Sequence, residues 1–546
     1  MSETGGKVLV MYDVRGIQDY IFRTSKLKDA IGASALVENI FENTLHSAVR
    51  TVKKEDGSAL TANLEWFDDN GPKPYKESDC DVEVLYIGGG NAYAIMKNKS
   101  IAVAVSRDMS RQVIEKTYSL QLATAIVPVT GDYSKDYRSL NEEMAKVKAN
   151  MIISKLPGAL PVMEVEIKTG LPAVGKDDYS KTMISRESQL KKQAADSARK
   201  GMADIEKKME AYITEAEVDS TIAIVHIDGN NMGLRIKGLV EKKPDYASAV
   251  ACMREISYNI NYSFKSVFEE MKAFFNENAP KHKAFKNKEK DYYLVKVIVA
   301  GDDVTYVCNG KIALATVEYF AKEVAKRTMI SAKSANLSEE ENIQKYGFSV
   351  CAGISFIGSH FPFNIGYDVA ESCCDQAKDA AKADENKEGD RIGNWFDFMF
   401  CRNVQTCNLK EMRKREYETG YKERLLSRPF FIPVEEKKEG STFAELSEGK
   451  HSFEDLKEQL EYFGNEKKIP RSLAKELRNT YPLGQGAMKM LMNFITSRGY
   501  KLPFGTESYY IENDGKMNAR YYDALELMDM YVGLDEIRIS AQEAEK

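Results

Sequence analysis

The chain has 546 residues, of which 43% are hydrophobic and 29% charged, with a formal net charge of −6. This length exceeds what one hydrophobic core supports, so we expect about three or four domains. The acidic balance excludes a globally basic nucleic-acid-binding protein, and no apolar run approaches the roughly 18 residues of a membrane span. The eight cysteines form no CxxC motif, and the N-terminus lacks a signal-peptide pattern, which is typical of a cytoplasmic protein with reduced thiols.

Residues 1–130 are predicted to form a first α+β unit. An apolar strand ends at Asp13, and two later strands flank Gly88-Gly89-Gly90-Asn91 as a hairpin. Helices precede and follow that hairpin, an order that favours a layered α+β fold. The expected strands are 7–12, 82–87 and 92–96, and the expected helices are 17–49, with a break near Gly32–Ser34, and 109–122.

Residues 131–217 form a middle segment of different character. Helices rich in lysine and glutamate are expected at 140–153 and 188–216, with an irregular stretch at 166–174 between them. A long charged helix of this kind is typical of a solvated or bridging element.

Residues 218–405 are predicted to form a second α+β unit. Its first strand ends at Asp228, and a later hairpin carries Gly301-Asp302-Asp303. The expected helices are 246–275, 312–327 and 365–383, and a further strand is expected at 348–356. Residues 406–546 are expected to be a helical domain, with a capping box at Thr442–Glu445 and an N-cap at Ser452.

The two α+β units have the same order of motifs. Asp13 lies 77 residues before Gly90, and Asp228 lies 74 residues before Asp302. The second unit has adjacent carboxylates where the first has Gly90-Asn91. We therefore expect a duplicated domain with one metal-binding copy and one carboxylate-poor copy.

Asp228, Asp302 and Asp303 are the candidate catalytic and metal-binding residues. Carboxylates at neighbouring strand ends can converge on Mg²⁺ or Mn²⁺, and two such ions about 4 Å apart can assist phosphoryl transfer to a 3′-hydroxyl. Glycines beside them would let a phosphate approach backbone amides closely. A Gly-Asp-Asp tripeptide alone is more often a plain structural turn, but its coupling to Asp228 and to the duplicate copy favours a metal site.

Lys378 and Lys382 lie four residues apart on a predicted helix, so both could hold a triphosphate. The alternative is a solvated lysine face. The pairs Cys373-Cys374 and Cys401…Cys407 are expected to be buried thiols rather than a redox site, and the five histidines form no cluster.

The ordered motifs resemble the large polymerase/cyclase subunit of type III CRISPR complexes. The resemblance covers most of residues 7–400, and its motifs are 13–22, 88–91, 228–233, 300–303, 352–354, 360–362 and 370–378. It implies two ferredoxin-like palm domains, related to GGDEF cyclases, that join ATP into cyclic oligoadenylates.

The resemblance also implies residue roles. Asp228, Asp302 and Asp303 would bind Mg²⁺, Gly301 would lie against phosphate, and Lys378 would contact the triphosphate. The first palm would hold the other nucleotide. The residues expected to contact nucleotide besides Gly301 and Lys378 are Lys382, Gly88, Gly89, Gly90, Asn91, Ser34 and Asn231.

The chain departs from the family pattern in four places. Ala300 replaces a glycine of the GGDD motif, and Asn230 replaces the second acid of DGDNMG. The segment at 169–173 resembles the family's zinc-binding stretch without its cysteines. We also expect no HD nuclease domain ahead of the first unit, which predicts a divergent or stand-alone member of the family.

Our leading hypothesis is a Mg²⁺-dependent cyclic oligonucleotide synthase of prokaryotic antiviral defence, acting on ATP or other NTPs and signalling to a downstream effector that senses the product. The alternative is a scaffold subunit that binds RNA and CRISPR-type partner subunits with little or no cyclase activity. A third possibility is a nucleotide sensor without turnover, against which the adjacent acids argue. No membrane association is expected.

Overall fold

The computed structural model describes residues 6–24, 26–75, 79–88, 90–151, 162–177, 181–200, 221–285, 293–358, 361–403, 408–434, 440–505, 509–513 and 516–544. These residues form a mixed arrangement of helices and several sheets, two of them large. Across these ranges, no helix combines the length and the apolar content of a membrane-spanning segment.

The first unit is built on a five-stranded sheet. The strands of the unit are β1 (Val8–Arg15), β2 (Ala62–Asn63), β3 (Phe67–Asp68), β4 (Gly71–Pro72), β5 (Val82–Gly88), β6 (Asn91–Met96) and β7 (Gln121–Pro128), of which β3 and β4 form a separate two-stranded sheet. Its helices are α1 (Ile17–Phe22), α2 (Leu27–Val37), α3 (Ile40–Thr51) and α4 (Lys99–Thr117). The strand order is β2-β5-β6-β1-β7, with β1 antiparallel to both β6 and β7. Apart from the short strands β2 to β4, the chain order is β-α-β-β-α-β.

The middle segment consists of α5 (Tyr133–Asn150), β8 (Ala173–Lys176), β9 (Met183–Ser185) and α6 (Arg186–Lys200). The helix α5 packs on β1 and β7, and α6 packs on α2, so both helices lie against the first unit. The rest of the expected second helix, 201–216, lies outside the described residues.

The second unit is built on a six-stranded sheet. Its elements are β10 (Thr221–Gly229), α7 (Met232–Val240), α8 (Tyr246–Asn278), β11 (Leu294–Ala300), β12 (Asp303–Asn309), α9 (Ala313–Val324), α10 (Ala332–Ala335), α11 (Glu339–Tyr346), β13 (Val350–Gly358), α12 (Phe363–Lys382), β14 (Lys387–Glu388), β15 (Arg391–Ile392) and β16 (Asn394–Cys401). The strand order is β11-β12-β10-β13-β16-β17, where β17 (Phe430–Ile432) comes from the C-terminal region. β10 is antiparallel to β12 and β13, so the first four strands repeat the connectivity of the first unit. Seven of the nine β10 residues are buried, as expected for a central strand covered on both faces.

The C-terminal region is mostly helical and is anchored to the second sheet. Its remaining elements are α13 (Leu409–Glu416), α14 (Thr442–Glu448), α15 (Phe453–Gly464), α16 (Arg471–Thr480), α17 (Gln485–Ser497), β18 (Tyr510–Asn513), β19 (Lys516–Ala519), α18 (Tyr522–Leu527) and α19 (Leu534–Ala544). The buried Arg428 donates to the carbonyl of Phe398 at 2.6 Å and to Glu526 at 3.0 Å, which ties α18 to β16.

The expected helix break at Gly32–Ser34 is wrong, because these residues lie inside α2. A Cβ on Gly32 would sit 1.9 Å from the carbonyl oxygen of Lys191, so this glycine allows α6 to approach α2 closely. The helix expected at 109–122 begins ten residues earlier, where the Asn98 side chain accepts a hydrogen bond from the amide of Ile101. Leu122 lies in β7 instead.

Two further expectations need correction. The helix α6 is not simply solvated, because Lys191 is buried and donates to Glu187 and to the carbonyl of Tyr20, both at 2.7 Å. The capping box at Thr442 is absent, since Ser441 occupies the N-cap and makes no capping side-chain bond. The N-cap at Ser452 is confirmed, with its hydroxyl accepting from the amide of Glu454 at 3.2 Å.

The two units pack directly against each other. The helix α8 lies on β4 and β5, while α2 lies on β11. Arg254 of α8 crosses this interface and donates to three carbonyls of the first unit, those of Leu85, Val84 and Lys73, at 2.7, 3.0 and 3.0 Å. This contact joins α8 of the second unit to β5 of the first.

Candidate active site

Three carboxylates meet where β10 ends and β12 begins. Ile227 pairs with Val304, so Asp228 and Asp303 follow as the next opposed pair. A Cβ on Gly229 would lie 2.9 Å from an Asp302 carboxylate oxygen, so that carboxylate rests against the backbone next to Asp228. Gly301 has a φ of 65°, a conformation that glycine adopts without strain. The sheet register therefore brings together the three acids predicted from the sequence.

The negative charges of these neighbouring acids are only partly neutralised by the groups around them. Burial, and then the charge of Asp228, raise the pKa of Asp302 and of Asp303 to about 7. The Gln18 amide donates to Asp303 Oδ2 at 3.4 Å, but the buried Asp303 Oδ1 accepts no hydrogen bond. An additional cation at this position would relieve both the repulsion and the missing partner.

Lys378 supplies the positive charge at Asp228. Its Nζ lies 2.5 Å from Asp228 Oδ2 and 3.8 Å from Asp375 Oδ1. Burial alone would lower the pKa of Lys378, but Cys374 and Asp228 outweigh it and raise the pKa above its ordinary value. Lys382, one turn further along α12, is exposed and makes no ion pair with these acids. The structure thus brings Lys378, but not Lys382, to the acidic cluster.

Three residues at this cluster were missed by the sequence analysis. The Nδ1 of His226 lies 3.0 Å from the Thr305 hydroxyl and 3.5 Å from Asp303 Oδ1, and burial lowers the pKa of this imidazole. The Tyr367 ring contacts His226 edge-on at 5.6 Å. His226 lies two residues before Asp228 on one strand, so the two-residue period could have pointed to it. Gln18 had no such signal, because it reaches Asp303 from the other unit.

The hairpin of the first unit lies close by. A Cβ on Gly88 would sit 3.2 Å from the Ser257 side chain, and the amide of Gly301 donates to Asn261 Oδ1 at 3.2 Å. Ser257 and Asn261 are one turn apart on α8. The two hairpins therefore contact adjacent turns of one helix.

The remaining nucleotide-binding candidates occupy different surroundings. Gly90 has a φ of 74°, and Asn91 pairs with Asp13 across the first sheet. Gly89 lies outside the described residues. Ser34 is buried within α2. Asn231, with a φ of 52°, occupies the N-cap position of α7 and lines a cavity that the three acids do not reach.

Each unit has the same lysine–aspartate pair. Lys148 Nζ lies 2.6 Å from Asp13 Oδ2, as Lys378 Nζ lies 2.5 Å from Asp228 Oδ2. In both units the lysine comes from the helix that follows the fourth strand of the β-α-β-β-α-β order. The first unit thus retains this ion pair although Gly90 and Asn91 replace the hairpin acids.

The acidic cluster is a candidate site for a divalent cation. Among the described residues, no group of three or more histidine, cysteine, aspartate or glutamate side chains is gathered so as to hold a metal ion. The chemistry of the acidic cluster nevertheless suits Mg²⁺ or Mn²⁺, since its donors are carboxylate oxygens and Asp303 Oδ1 lacks a partner. In this arrangement the Lys378 ammonium is the cation that contacts Asp228.

Comparisons with known proteins found similar solved structures. No protein-family model matches the chain, and no curated protein matches it. A Csm1–Csm4 cassette in complex with cA4 is 15% identical with a TM-score of 0.47, covering 96% of this chain and 70% of that chain. A Csm1–Csm4 cassette with AMPPNP is 16% identical with a TM-score of 0.38, covering 68% and 53%. This chain thus spans 53% to 70% of the length of these relatives.

Proposed function

We propose that this protein is a Mg²⁺- or Mn²⁺-dependent nucleotidyltransferase that joins ATP, or other NTPs, into cyclic oligonucleotides. The observation that carries this proposal is the placement of two glycine hairpins on adjacent turns of α8, only one of them bearing carboxylates. Two hairpins placed in this way would offer two nucleotide positions with one reacting centre. Both units would then be ferredoxin-like palm domains of the type III CRISPR polymerase/cyclase kind.

The residues of the second unit have distinct roles in this proposal. Asp228, Asp302 and Asp303 would hold the divalent cation, which supplies Lewis-acid stabilisation of the phosphate charge when bound. Lys378 would exchange its contact with Asp228 for the triphosphate, because a phosphate offers the ammonium the same kind of charge-assisted bond. The Gly301 amide, which donates to Asn261 Oδ1 at 3.2 Å, would exchange that acceptor for a phosphate oxygen.

The first unit would hold the nucleotide that supplies the 3′-hydroxyl. That oxygen attacks the α-phosphorus of the second nucleotide, a P–O bond forms, the bond to pyrophosphate breaks, and the hydroxyl proton passes to solvent. The protein contributes mainly by positioning both nucleotides and by placing charge. Gln18, from the first unit, would position Asp303 through its amide.

The proposed activity also implies a cellular role and partners. A cyclic product implies a downstream effector that senses it, in prokaryotic antiviral defence and in the cytoplasm. RNA and CRISPR-type subunits are the partners that the resemblance suggests.

The test is incubation of the purified protein with each NTP and Mg²⁺ or Mn²⁺, followed by mass spectrometry of the products. We expect oligonucleotides from the wild type and a loss of at least 100-fold in the variant Asp302→Ala/Asp303→Ala, in keeping with the large effect of removing transition-state electrostatics. The control is Asp384→Ala, whose side chain is 99% exposed, and it should keep full activity. Co-purifying RNA and an absence of product with every NTP would favour the scaffold alternative.

A further inference from the structure

The second unit contains a cavity of about 670 Å³ that is separate from the acidic cluster. It lies between α7, the end of α11, the β14–β15 turn and α14, and none of Asp228, Asp302, Asp303 or Lys378 lines it. Its volume falls within the usual range for small-molecule sites. Its lining combines charged and aromatic side chains.

Arg235 lines this cavity and carries a positive charge that no neighbouring carboxylate in the described part of the chain neutralises. Its guanidinium donates to the carbonyl of Gly347 at 2.8 Å, and no carboxylate of the described residues forms an ion pair with it. Burial, and then the charge of Arg391, lower the pKa of Arg235 to about 10. A partly buried cation that faces a second cation is unfavourable unless an anion joins them.

The other charges of the lining leave this need unmet. Glu341 is engaged in the capping box of α11 with Ser338, and Glu388 accepts from the Ser441 hydroxyl at 2.9 Å. Glu388 also lies 3.8 Å from Arg391, and Asp390 is the third acid. Three more cations, Lys242, Lys326 and Lys345, line the same space. The cavity therefore has more positive than negative groups. Two of its acids, Glu341 and Glu388, are engaged by groups other than Arg235.

Part of the cavity lining is aromatic. Tyr346, Phe431 and Phe443 line it, and the Arg391 guanidinium lies 5.2 Å from the centre of the Phe443 ring. Aromatic and guanidinium faces of this kind stack on planar groups such as nucleobases.

We propose that this cavity binds a phosphorylated small molecule of nucleotide size, with its phosphate between Arg235 and Arg391 and its planar group against the aromatic side chains. The proposal does not depend on the proposed catalytic activity. One loop connects the cavity to the acidic cluster. Asn230 of this loop lines the cavity and lies two residues after Asp228. Asn230 donates to the carbonyl of Gly393 at 3.1 Å, so a ligand beside Gly393 and Asn230 has a short route to the acids.

The test is calorimetric titration with AMP, ribose 5-phosphate and inorganic pyrophosphate, in buffer without divalent cations. The protein carries Lys378→Gln, which removes the lysine of the candidate active site. We expect AMP to bind, and we expect Arg235→Gln in this background to weaken that binding at least tenfold. The matched control is Lys237→Gln on the same helix, a side chain that is 62% exposed, and it should leave the affinity unchanged.

A melting experiment provides the second measurement. AMP should raise the Tm of the Lys378→Gln protein by mass action, but should not raise the Tm of the Arg235→Gln variant. If Arg235→Gln fails to fold, Arg391→Gln replaces it with the same expectation. Weaker binding of ribose 5-phosphate than of AMP would support the aromatic contact, whereas equal binding would overturn that part of the proposal.

Three results would overturn the site. The first is an AMP affinity in the two arginine variants that equals the affinity of their Lys378→Gln parent. The second is AMP binding by the wild type that Lys378→Gln alone abolishes. The third is no binding of any of the three probes at millimolar concentration. Each of them is independent of whether the protein converts ATP, which separates this proposal from the function proposed above.

Discussion

The acids of the candidate active site lower the stability of the folded protein by an amount that depends on pH. Because the folded-state pKa values of Asp302 and Asp303 are raised from 3.8 to about 7, folding favours their protonated forms. The stability that this contributes is fully present below about pH 4 and is lost as the pH rises through about 7. Without divalent cations, these carboxylates therefore destabilise the protein most above pH 7.

We predict that Asp302→Asn and Asp303→Asn each raise the Tm at pH 8 but hardly change it at pH 4. Both side chains are partly open to solvent, so we expect about 1 kcal/mol for each, or about 2–4 °C. Differential scanning calorimetry in EDTA at both pH values measures it, with Asp384→Asn as the control. The same Tm change at pH 4 and pH 8 would show that ionisation is not the cause.

Asn230 is held by hydrogen bonds in the loop that follows Asp228. It occupies an acidic position of the family motif, yet it is only 2% exposed, and its amide donates to Gly393 and to the Ser349 hydroxyl. A carboxylate there would place a negative charge against the Gly393 carbonyl.

We therefore predict that Asn230→Asp lowers the free energy of unfolding by about 1–3 kcal/mol, the usual cost of an unmet buried hydrogen bond. Urea denaturation monitored by circular dichroism measures this. The matched control is Asn231→Asp, since aspartate also tolerates the left-handed conformation of that more exposed neighbour. Equal stability of the two variants would contradict the structural role of Asn230.

At the scale of elements, the position of Lys378 depends on how closely α12 approaches β13. A Cβ on Gly353 would lie 1.8 Å from the carbonyl oxygen of Ala370 and 2.3 Å from the amide nitrogen of Cys374. Lys378 follows Cys374 by one helical turn. Any residue larger than glycine at position 353 must push the helix, and its lysine, away from the sheet.

We predict that Gly353→Ala lowers stability by about 1–3 kcal/mol through overpacking and also weakens ATP binding. The Tm and a calorimetric titration with a non-hydrolysable ATP analogue measure the two effects. Gly358→Ala, on the same strand with no atom near its added Cβ, should change neither. Unchanged ATP affinity in a destabilised Gly353→Ala protein would show that the position of α12 does not affect ATP binding.

The sequence predicted the strand ends better than the contacts between elements. Alternation and glycine placement located Asp228, Asp302 and Asp303 at strand ends, because these signals are local. Gly32 was read as a helix break, since a glycine that permits helix packing looks the same in the sequence as one that ends a helix. The hydrogen bond from Gln18 to Asp303 joins residues 285 apart, and no local pattern encodes such a contact.

At the scale of the whole molecule, Arg254 is a buried polar link between the two units. Its guanidinium bonds three backbone carbonyls of the first unit, and a shorter side chain would leave these acceptors unsatisfied. We therefore expect this side chain to contribute to the spacing of the two hairpins, together with the packing of α8 on β4 and β5.

We predict that Arg254→Gln loosens the interface and reduces product formation at least tenfold while each unit stays folded. Limited proteolysis and mass spectrometry of products measure these effects, and exposed Lys265→Gln on the same helix is the control. Full synthesis by Arg254→Gln with faster proteolysis would mean that hairpin spacing does not govern the reaction.

The lysine–aspartate pair found in both units also has a consequence for the symmetry of the molecule. Lys148–Asp13 is present in the half that has Gly90 and Asn91 in place of acids, so this ion pair does not require the hairpin carboxylates. The two halves share the pair and the order of four strands, and they therefore correspond to the two subunits of a homodimer held within one chain. A true homodimer would carry two equal acidic sites, whereas only one half of this chain bears the hairpin acids.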